Sequence, residues 1–475
     1  MQATTPTSYS QSVARVFWRF AIPSILAMLV SGLYQIIDGF FVGHYVGSNG
    51  LASINMAIPL LGLIMGFGLL VGMGGGSELS RYRGENDLPA TQSTLITALF
   101  LIILIGLFAT AAFITFGQSL LRMQGASGVT MEMSWSYVQT MSFGALISIG
   151  ASAMPMLVRN DDSPNFATLF IIVGALTNIV LDYVFLGPLE MGLKGAAIAT
   201  LIAQLTTCVL CLRYFMSPKA KTKLTVKQFD KDIAIRILQL GTSNLVMFIY
   251  FGFIMAFHNM QFLAYGDTTQ LAAFAIVGYI ASCYYFVAEG LVSGLQPPVS
   301  YYLGAKQYKR IIDTVKLAFS VTVGAGIALV LLLNLVPEVF IGIFISGNET
   351  LLEASKNGIR LHLMALFIDG FLFMASIYFI AVGKSGQALF VSVGNMLVQL
   401  PFLYILPKYL GINGIWLAVP LSNVIFALIV LPMLLINLKG LMKIHKQQLE
   451  AGDRNYAHCR IRSLRYLRKP RLHLY

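Results

Sequence analysis

Long apolar segments recur along the whole chain and are separated by short polar connections. Each has about the length of the roughly 20-residue helix that crosses a hydrocarbon core of ~30 Å. Within these segments the apolar residues run on without the strict alternation that strands of a membrane barrel need. The pattern therefore predicts an all-α polytopic membrane protein with twelve transmembrane helices, at residues 17–44, 51–80, 91–117, 131–157, 164–187, 192–215, 237–264, 270–300, 312–337, 357–382, 387–407 and 412–438.

The composition supports a membrane protein. Of the 475 residues, 57% are hydrophobic and only 11% are charged, which is more apolar surface than a soluble protein of this size buries. Residues 1–14 are polar, so we expect no cleavable signal peptide before the first span. The four cysteines suggest neither a disulfide framework nor a metal cluster, because all but Cys459 lie in apolar spans.

Basic residues are distributed unevenly among the connections. If the N-terminus is cytoplasmic, 27 of the 32 Lys and Arg residues lie on the cytoplasmic side. This positive-inside pattern predicts that both termini are cytoplasmic and that the number of spans is even. It also explains the net charge of +12 without nucleic acid as a partner. The end of the chain is consistent with contact with anionic lipid or with a solvated, disordered tail, through Arg460, Arg462, Arg465, Arg468, Lys469 and Arg471.

The two halves of the chain repeat one plan. A shift of 220 residues places Gly74 on Gly294 and Gly84 on Gly304. Because six spans is an even number, both halves have the same orientation, which predicts two six-helix lobes related by a parallel pseudo-two-fold repeat. The expected parts are an N-terminal lobe at 1–215, a cytoplasmic interlobe loop at 216–235, a C-terminal lobe at 236–438 and a basic cytoplasmic tail at 439–475.

Acidic residues inside the spans break the apolar pattern. Asp38 lies in the first span and Asp182 in the fifth. Each follows a polar residue by four positions, Tyr34 and Asn178 respectively, so each polar pair shares one helix face. The second half has apolar or different polar residues at the positions equivalent to Asp38, Asn178 and Asp182, namely His258, Leu397 and Pro401. The acidic pair therefore belongs to the N-terminal half alone.

Charged groups inside a membrane are unfavourable and commonly mark functional sites. Two carboxylates that converge in a low-dielectric pocket repel each other, and a bound proton or cation would relieve this repulsion. The alternative is that Asp38 and Asp182 are hydrogen-bonded separately within the bundle. Glu289 in the eighth span and Asp369 in the tenth are either a second site or satisfied structural groups.

The sequence does not predict an enzyme. It contains no HExxH, GxSxG or Walker motif and no Cys/His cluster. The glycine-rich run at 72–76 lies in an apolar span and lacks the Lys-Ser/Thr of a phosphate-binding loop, so close helix packing is expected there. Without a nucleotide site, uphill transport would have to use an ion gradient.

Taken together, these features resemble the multidrug and toxic compound extrusion (MATE) family of cation-coupled antiporters. The resemblance covers residues 12–440 and depends on the order and spacing of several motifs. These motifs are Ile22-Pro23, Tyr34-x-x-x-Asp38-x-x-x-Val42-Gly43, Val158-Arg159-Asn160-Asp161, Asn178-x-x-x-Asp182, Gly192-x-x-Gly195-Ala196-Ala197-x-Ala199-Thr200 and Glu289-Gly290-Leu-Val-Ser-Gly294-Leu295-Gln296-Pro297.

The resemblance is to the branch of the family whose cation site lies in the N-terminal lobe. It implies oxygen ligands for a coupling ion, with a backbone carbonyl at Ala196 and side chains at Asp38, Asn178, Asp182 and Thr200. Such ligands suit a hard cation such as Na⁺, and two carboxylates suit H⁺ equally. Tyr34 and Tyr137 would be polar neighbours of the site. Pro23 matches the proline at which the first helix bends.

The resemblance also implies the function. We expect multidrug efflux by alternating access, in which Na⁺ or H⁺ is exchanged for an amphiphilic organic cation in a V-shaped cleft. We expect no cofactor, small-molecule drugs and membrane lipids as partners, a monomer, and a location in the plasma membrane, which is the inner membrane in a bacterium. Two alternatives remain: a flippase for a lipid-linked precursor, which would need a basic central cavity, and a receptor or structural protein without transport.

Overall fold

The computed structural model describes residues 7–225, 228–344 and 348–467, with side chains at 9–225, 228–250, 252–344 and 348–451. Helices and short connections account for all of these residues. The helices are α1 (Thr7–Ser10), α2 (Val13–Tyr45), α3 (Ser48–Glu85), α4 (Leu88–Met123), α5 (Gly128–Phe143), α6 (Ala145–Asn160), α7 (Pro164–Leu186), α8 (Gly192–Met216), α9 (Lys231–Tyr265), α10 (Thr268–Gly304), α11 (Tyr308–Leu335), α12 (Pro337–Ile341), α13 (Glu349–His362), α14 (Leu366–Ala381), α15 (Ser385–Leu410) and α16 (Ile412–Leu467).

The prediction of twelve transmembrane helices in two lobes is confirmed. In the described part of the chain, ten helices are long and apolar enough to cross a membrane, and two further spans are bent helix pairs. The six spans of the N-lobe are α2, α3, α4, α5 with α6, α7 and α8. The six spans of the C-lobe are α9, α10, α11, α13 with α14, α15 and α16.

Two of the spans are not the single helices that the sequence suggested. The fourth span bends by 61° between α5 and α6, and the tenth bends by 48° between α13 and α14. At the first break, Gly144 lies against the side chain of Leu201 on α8, where an added Cβ would overlap Leu201. Hydrophobicity alone does not reveal such a break, because it reports the composition of a segment and not the direction of its helix axis.

The ends of the two predicted polar segments also differ from expectation. Helix α9 begins at Lys231, inside the predicted interlobe loop, where the Asp230 carboxylate accepts hydrogen bonds from the first turn of the helix. Helix α16 continues past residue 438 to Leu467. Val226 and Lys227 of the loop lie outside the described residues. So do the side chains of the basic tail residues Arg460, Arg462, Arg465, Arg468, Lys469 and Arg471.

The lobes contact each other through two equivalent helix crossings, α3 on α9 and α10 on α2, and through a third crossing in which α3 packs on α10. An added Cβ on Gly84 would overlap the carbonyl oxygen of Tyr301, and one on Gly304 would overlap that of Arg81. Residues 81 and 84 correspond to 301 and 304 under the shift of 220 residues. The same contact therefore occurs twice, as a pseudo-two-fold axis between the lobes requires.

Polar contacts between the lobes gather at one end of the bundle, where α2 begins and α3 ends. We call this end the basal face. Arg236 of α9 donates two hydrogen bonds to the buried carboxylate of Glu78 on α3, at 3.0 and 3.1 Å. The Ser77 and Ser300 hydroxyl oxygens are 3.0 Å apart. The basal face is therefore closed by an ion pair and hydrogen bonds as well as by close packing.

The glycine contacts between the lobes extend from the basal face to about the middle of the helices. The last of them are at Gly32, against Phe286 of α10, and at Gly66, against Leu245 of α9. Farther from the basal face, an added Cβ on Gly39 of α2 or Gly62 of α3 would meet nothing within 4 Å. The close contact between the lobes is thus concentrated between the basal face and the middle of the helices.

We predict that Gly304→Val separates the lobes at the basal face, because the new side chain would overlap the backbone of α3. Nitroxide labels at Pro89→Cys and Lys309→Cys, which are equivalent under the repeat, should move apart by about 2 Å or more, since carbon atoms pack no closer than roughly 3.5 Å. Gly324→Val is the matched control, because a Cβ there meets nothing within 4 Å. An unchanged label distance in Gly304→Val would contradict this packing.

Candidate functional site

The structure brings the two acidic residues of the N-lobe together. Helices α2 and α7 pack against each other, and the carboxyl groups of Asp38 and Asp182 lie within hydrogen-bonding range of one another. Asp182 is fully buried and Asp38 is half-buried. The two acids therefore form one cluster rather than two separate structural contacts.

Three further residues of the expected site surround this acidic pair. Asn178, one turn before Asp182 on α7, donates a hydrogen bond of 3.5 Å to the Thr200 hydroxyl of α8. Tyr137, on α5, is buried close to Thr200 and to both acids. The cluster thus draws side chains from four helices of one lobe.

Several oxygen atoms of the cluster have no donor. Oδ1 of Asp38, both carboxylate oxygens of Asp182 and Oδ1 of Asn178 are buried, and no group of the described residues donates a hydrogen bond to them. Buried acceptors without donors are unfavourable. A proton, or a cation that prefers oxygen ligands, would satisfy them. The described residues contain no group of three or more His, Cys, Asp or Glu that could hold a metal ion, so neutral oxygens would complete any cation site here.

Tyr34, Ala196 and Pro23 have different relations to the cluster. Tyr34 is close enough to Asp38 and Asp182 to interact with them electrostatically. Ala196 is fully buried one turn before Thr200 on α8. Pro23 lies about four turns from Asp38 on the same helix.

Helix α2 is continuous through Pro23, yet it lacks one backbone hydrogen bond there. Proline has no N–H group, so the carbonyl of Arg19 loses its usual helical donor. The carbonyl of Pro23 itself accepts a hydrogen bond of 2.7 Å from the Thr168 hydroxyl of α7. The position in α2 that lacks a backbone hydrogen bond is therefore hydrogen-bonded to α7, the helix that carries Asp182.

A cavity of about 170 Å³ adjoins the acidic cluster, and we call it the N-lobe cavity. Tyr34, Asn178 and Thr200 line it on the side of the cluster, and Phe286 and Glu289 of α10 close it on the side of the C-lobe. A molecule in the cavity and a cation at the cluster would therefore contact some of the same side chains.

Arg159 is a site residue whose position the sequence analysis missed. It was counted among the cytoplasmic basic residues, but its side chain is 2% exposed and lines the N-lobe cavity. The carboxylate of Glu289, across the lobe interface, attracts its guanidinium group electrostatically. The signal that could have revealed it is the motif Val158-Arg159-Asn160-Asp161, in which the arginine lies in the last turn of an apolar helix.

Glu289 and Asp369, the two candidates for a second site, do not join in one cluster. Glu289 lines the N-lobe cavity, whereas Asp369 lies on α14 within the C-lobe. Asp369 accepts a hydrogen bond of 2.7 Å from the Tyr285 hydroxyl and another from Asn423. Gln399 donates in turn to Asn423 at 3.1 Å. Both oxygens of Asp369 are satisfied, in contrast to those of Asp182.

Comparison with known proteins gives the family. The MatE family model matches residues 23–184 and 241–405, one segment in each lobe. Multidrug export protein MepA of Staphylococcus aureus (strain NCTC 8325 / PS 47) is 22% identical over 408 residues, which cover 85% of this chain and 89% of MepA.

Solved structures share the fold. Crystal structures of MATE in the bent and the straight conformation each have a TM-score of 0.86 and 22% sequence identity. Each comparison covers 93% of this chain, and 99% of the bent and 100% of the straight structure. Because the family model matches more than half of the sequence, the chain belongs to the MatE family of multidrug transporters, and it is a transporter rather than an enzyme.

Proposed function

We propose that this protein exports amphiphilic organic cations in exchange for Na⁺ or H⁺ that binds between Asp38 and Asp182. The observation that carries the proposal is the carboxylate pair, in which Oδ1 of Asp38 and both oxygens of Asp182 are buried and have no donor among the described residues. Two facing carboxylates attract a proton or a metal cation, either of which removes their mutual repulsion. The similarity to a multidrug export protein supports the substrate class.

Coupling follows from the shared lining of the cluster and the N-lobe cavity. Asn178 and Thr200 belong to both. When a cation draws their oxygen atoms toward the acidic pair, the wall of the cavity changes shape, and a bound drug loses contacts. Exchange requires only that cation and drug disfavour each other's states, and the effect is reciprocal.

In alternating access, the basal face would be closed in one state and open in the other, and α2 would bend at Pro23. With the positive-inside orientation, the basal face is cytoplasmic, and both termini lie on that side of the plasma membrane. In this state the coupling ion reaches Asp38 from the opposite side. Bending of α2 at Pro23 would then move Tyr34 and Asp38 relative to α7, and related transporters are known in both bent and straight conformations. One chain contains both lobes and the whole site, so a monomer suffices.

The lining of the cavity suits an organic cation better than an anionic lipid precursor. Met28, Met65 and Met156 provide an adaptable apolar surface. Glu289 offsets the single arginine of the lining, Arg159. A flippase for a pyrophosphate-linked lipid would need a net basic cavity, so the charge balance here argues against that alternative.

We predict that Asp38→Asn and Asp182→Asn each reduce cation-driven drug transport at least tenfold. Asparagine keeps the size of the side chain but removes the charge that holds the ion. The measurement is the initial rate of ethidium transport in proteoliposomes, with Na⁺ and pH gradients imposed separately. The gradient that drives the wild-type protein identifies the ion.

Two further carboxylates serve as comparisons for this experiment. Asp313→Asn removes an acid from a surface pair with Lys309, which is 3.1 Å away, and it should leave the rate unchanged. Asp369→Asn tests the C-lobe directly. If Asp369→Asn abolished coupling while Asp38→Asn and Asp182→Asn retained it, the site would lie in the C-lobe and the proposal would be wrong.

We predict that Pro23→Ala slows drug export about tenfold or more and leaves cation binding intact. Alanine restores the missing N–H donor, and because an interior proline destabilises a helix by about 3 kcal/mol, the substitution favours straight α2. Export is measured in proteoliposomes, and cation binding by the thermal stabilisation that the ion gives the purified protein. Pro59→Ala, which changes an exposed proline inside α3, is the matched control. Equal effects of the two substitutions would refute a specific role for Pro23.

A further inference from the structure

A second pocket, of about 770 Å³, opens on the basal face of the N-lobe. It forms where α2 begins, where α3 ends, where α7 begins and where the connection after α8 folds back over residues 217–222. We call it the basal pocket. It lies far along α2 from Asp38, and the transport cycle described above does not use it.

The basal pocket has an excess of positive charge. Four basic side chains line it: Arg19, Arg83, Lys219 and Lys221. Two carboxylates offset the arginines, because Asp162 is 3.2 Å from Arg19 and Asp161 is 3.9 Å from Arg83. No carboxylate of the described residues forms an ion pair with either lysine. Two ammonium groups thus remain without an opposite charge.

The start of α7 adds backbone donors to this pocket. Pro164 occupies the first turn, and the side chain of the N-cap residue Ser163 makes no capping hydrogen bond. The N–H groups of Asn165 and Phe166 therefore lack an intrahelical partner, and both residues line the pocket. Unpaired N–H groups and the positive end of the helix dipole together favour an anion.

The pocket is also held in shape before any ligand binds. The buried Asp161 carboxylate accepts hydrogen bonds from the backbone N–H groups of Lys221 and Thr222, at 2.7 and 2.8 Å. The Lys219 ammonium lies 5.0 Å from the centre of the Phe166 ring. Thr222 is 1% exposed and lines the pocket, and its hydroxyl has no hydrogen-bond partner among the described residues. This hydroxyl is a donor that the protein itself leaves unused.

We propose that the basal pocket binds a phosphate group, contributed by a soluble phosphate or by the headgroup of an anionic phospholipid. Phosphate oxygens accept hydrogen bonds from ammonium, guanidinium, hydroxyl and backbone N–H groups, all of which line this pocket. The pocket adjoins apolar surface that can face acyl chains. Ile22, one turn after Arg19 on α2, is 60% exposed, and Leu88 and Leu169 are also exposed.

The test is calorimetric titration of the full-length protein in a maltoside detergent at constant ionic strength. One arm uses inorganic phosphate and the other uses short-chain phosphatidic acid. Each is repeated with Lys219→Gln/Lys221→Gln and with Lys443→Gln/Lys446→Gln, which removes the same charge from exposed positions of α16. Without an anion, both double variants should unfold at the wild-type temperature, because all four lysine side chains are exposed.

We expect saturable binding at one site per chain, weakened at least tenfold by Lys219→Gln/Lys221→Gln and unchanged by Lys443→Gln/Lys446→Gln. Binding of inorganic phosphate identifies a soluble source, and binding of phosphatidic acid alone identifies a lipid headgroup. The proposal is overturned if neither probe saturates, or if both double variants weaken binding equally, which would indicate unspecific attraction to a basic surface.

Discussion

Contact between backbones at the basal face determines how the two lobes sit together. Gly84 packs on the carbonyl of Tyr301, and Gly304 packs on the carbonyl of Arg81. No side chain fits between these helices, so the lobes at this face are either in contact or apart. Contact brings Arg236 to Glu78 and places the α10 wall, including Glu289, against the N-lobe cavity. Opening of the basal face would remove both.

The two lobes have the same arrangement of helices, but the acidic residues inside them differ in their hydrogen-bond partners. In the C-lobe, Asp369 receives hydrogen bonds from Tyr285 and Asn423, so its charge is already compensated by the protein. In the N-lobe, Asp38 and Asp182 face each other, and no described residue donates a hydrogen bond to Oδ1 of Asp38 or to either oxygen of Asp182. A buried carboxylate without a partner is unstable in an apolar surrounding. This difference explains why the N-lobe pair is the better candidate for an exchangeable ion.

Helix α2 connects the features that the proposals invoke. Its first turns carry Arg19 at the basal pocket, its interior carries Pro23, and its far half carries Asp38. The Thr168 hydroxyl ties the proline to α7, which begins at the basal pocket and carries Asp182. A change in the shape of α2 would therefore move side chains at the basal pocket, at the proline and at the acidic cluster. The energetic link is physical contact along two packed helices rather than a long-range effect.

The sequence by itself determined the number and type of the spans, the repeat and the identity of the acidic pair. Transfer into hydrocarbon acts on each segment separately, so hydrophobicity shows a span wherever it occurs. Tertiary structure alone decided that Asp38 meets Asp182, that Arg159 is buried and that Asp369 accepts hydrogen bonds from Tyr285 and Asn423. It also decided the bends at Gly144 and between α13 and α14. Each of these depends on groups far apart in the chain, whose approach is set by packing and not by local composition.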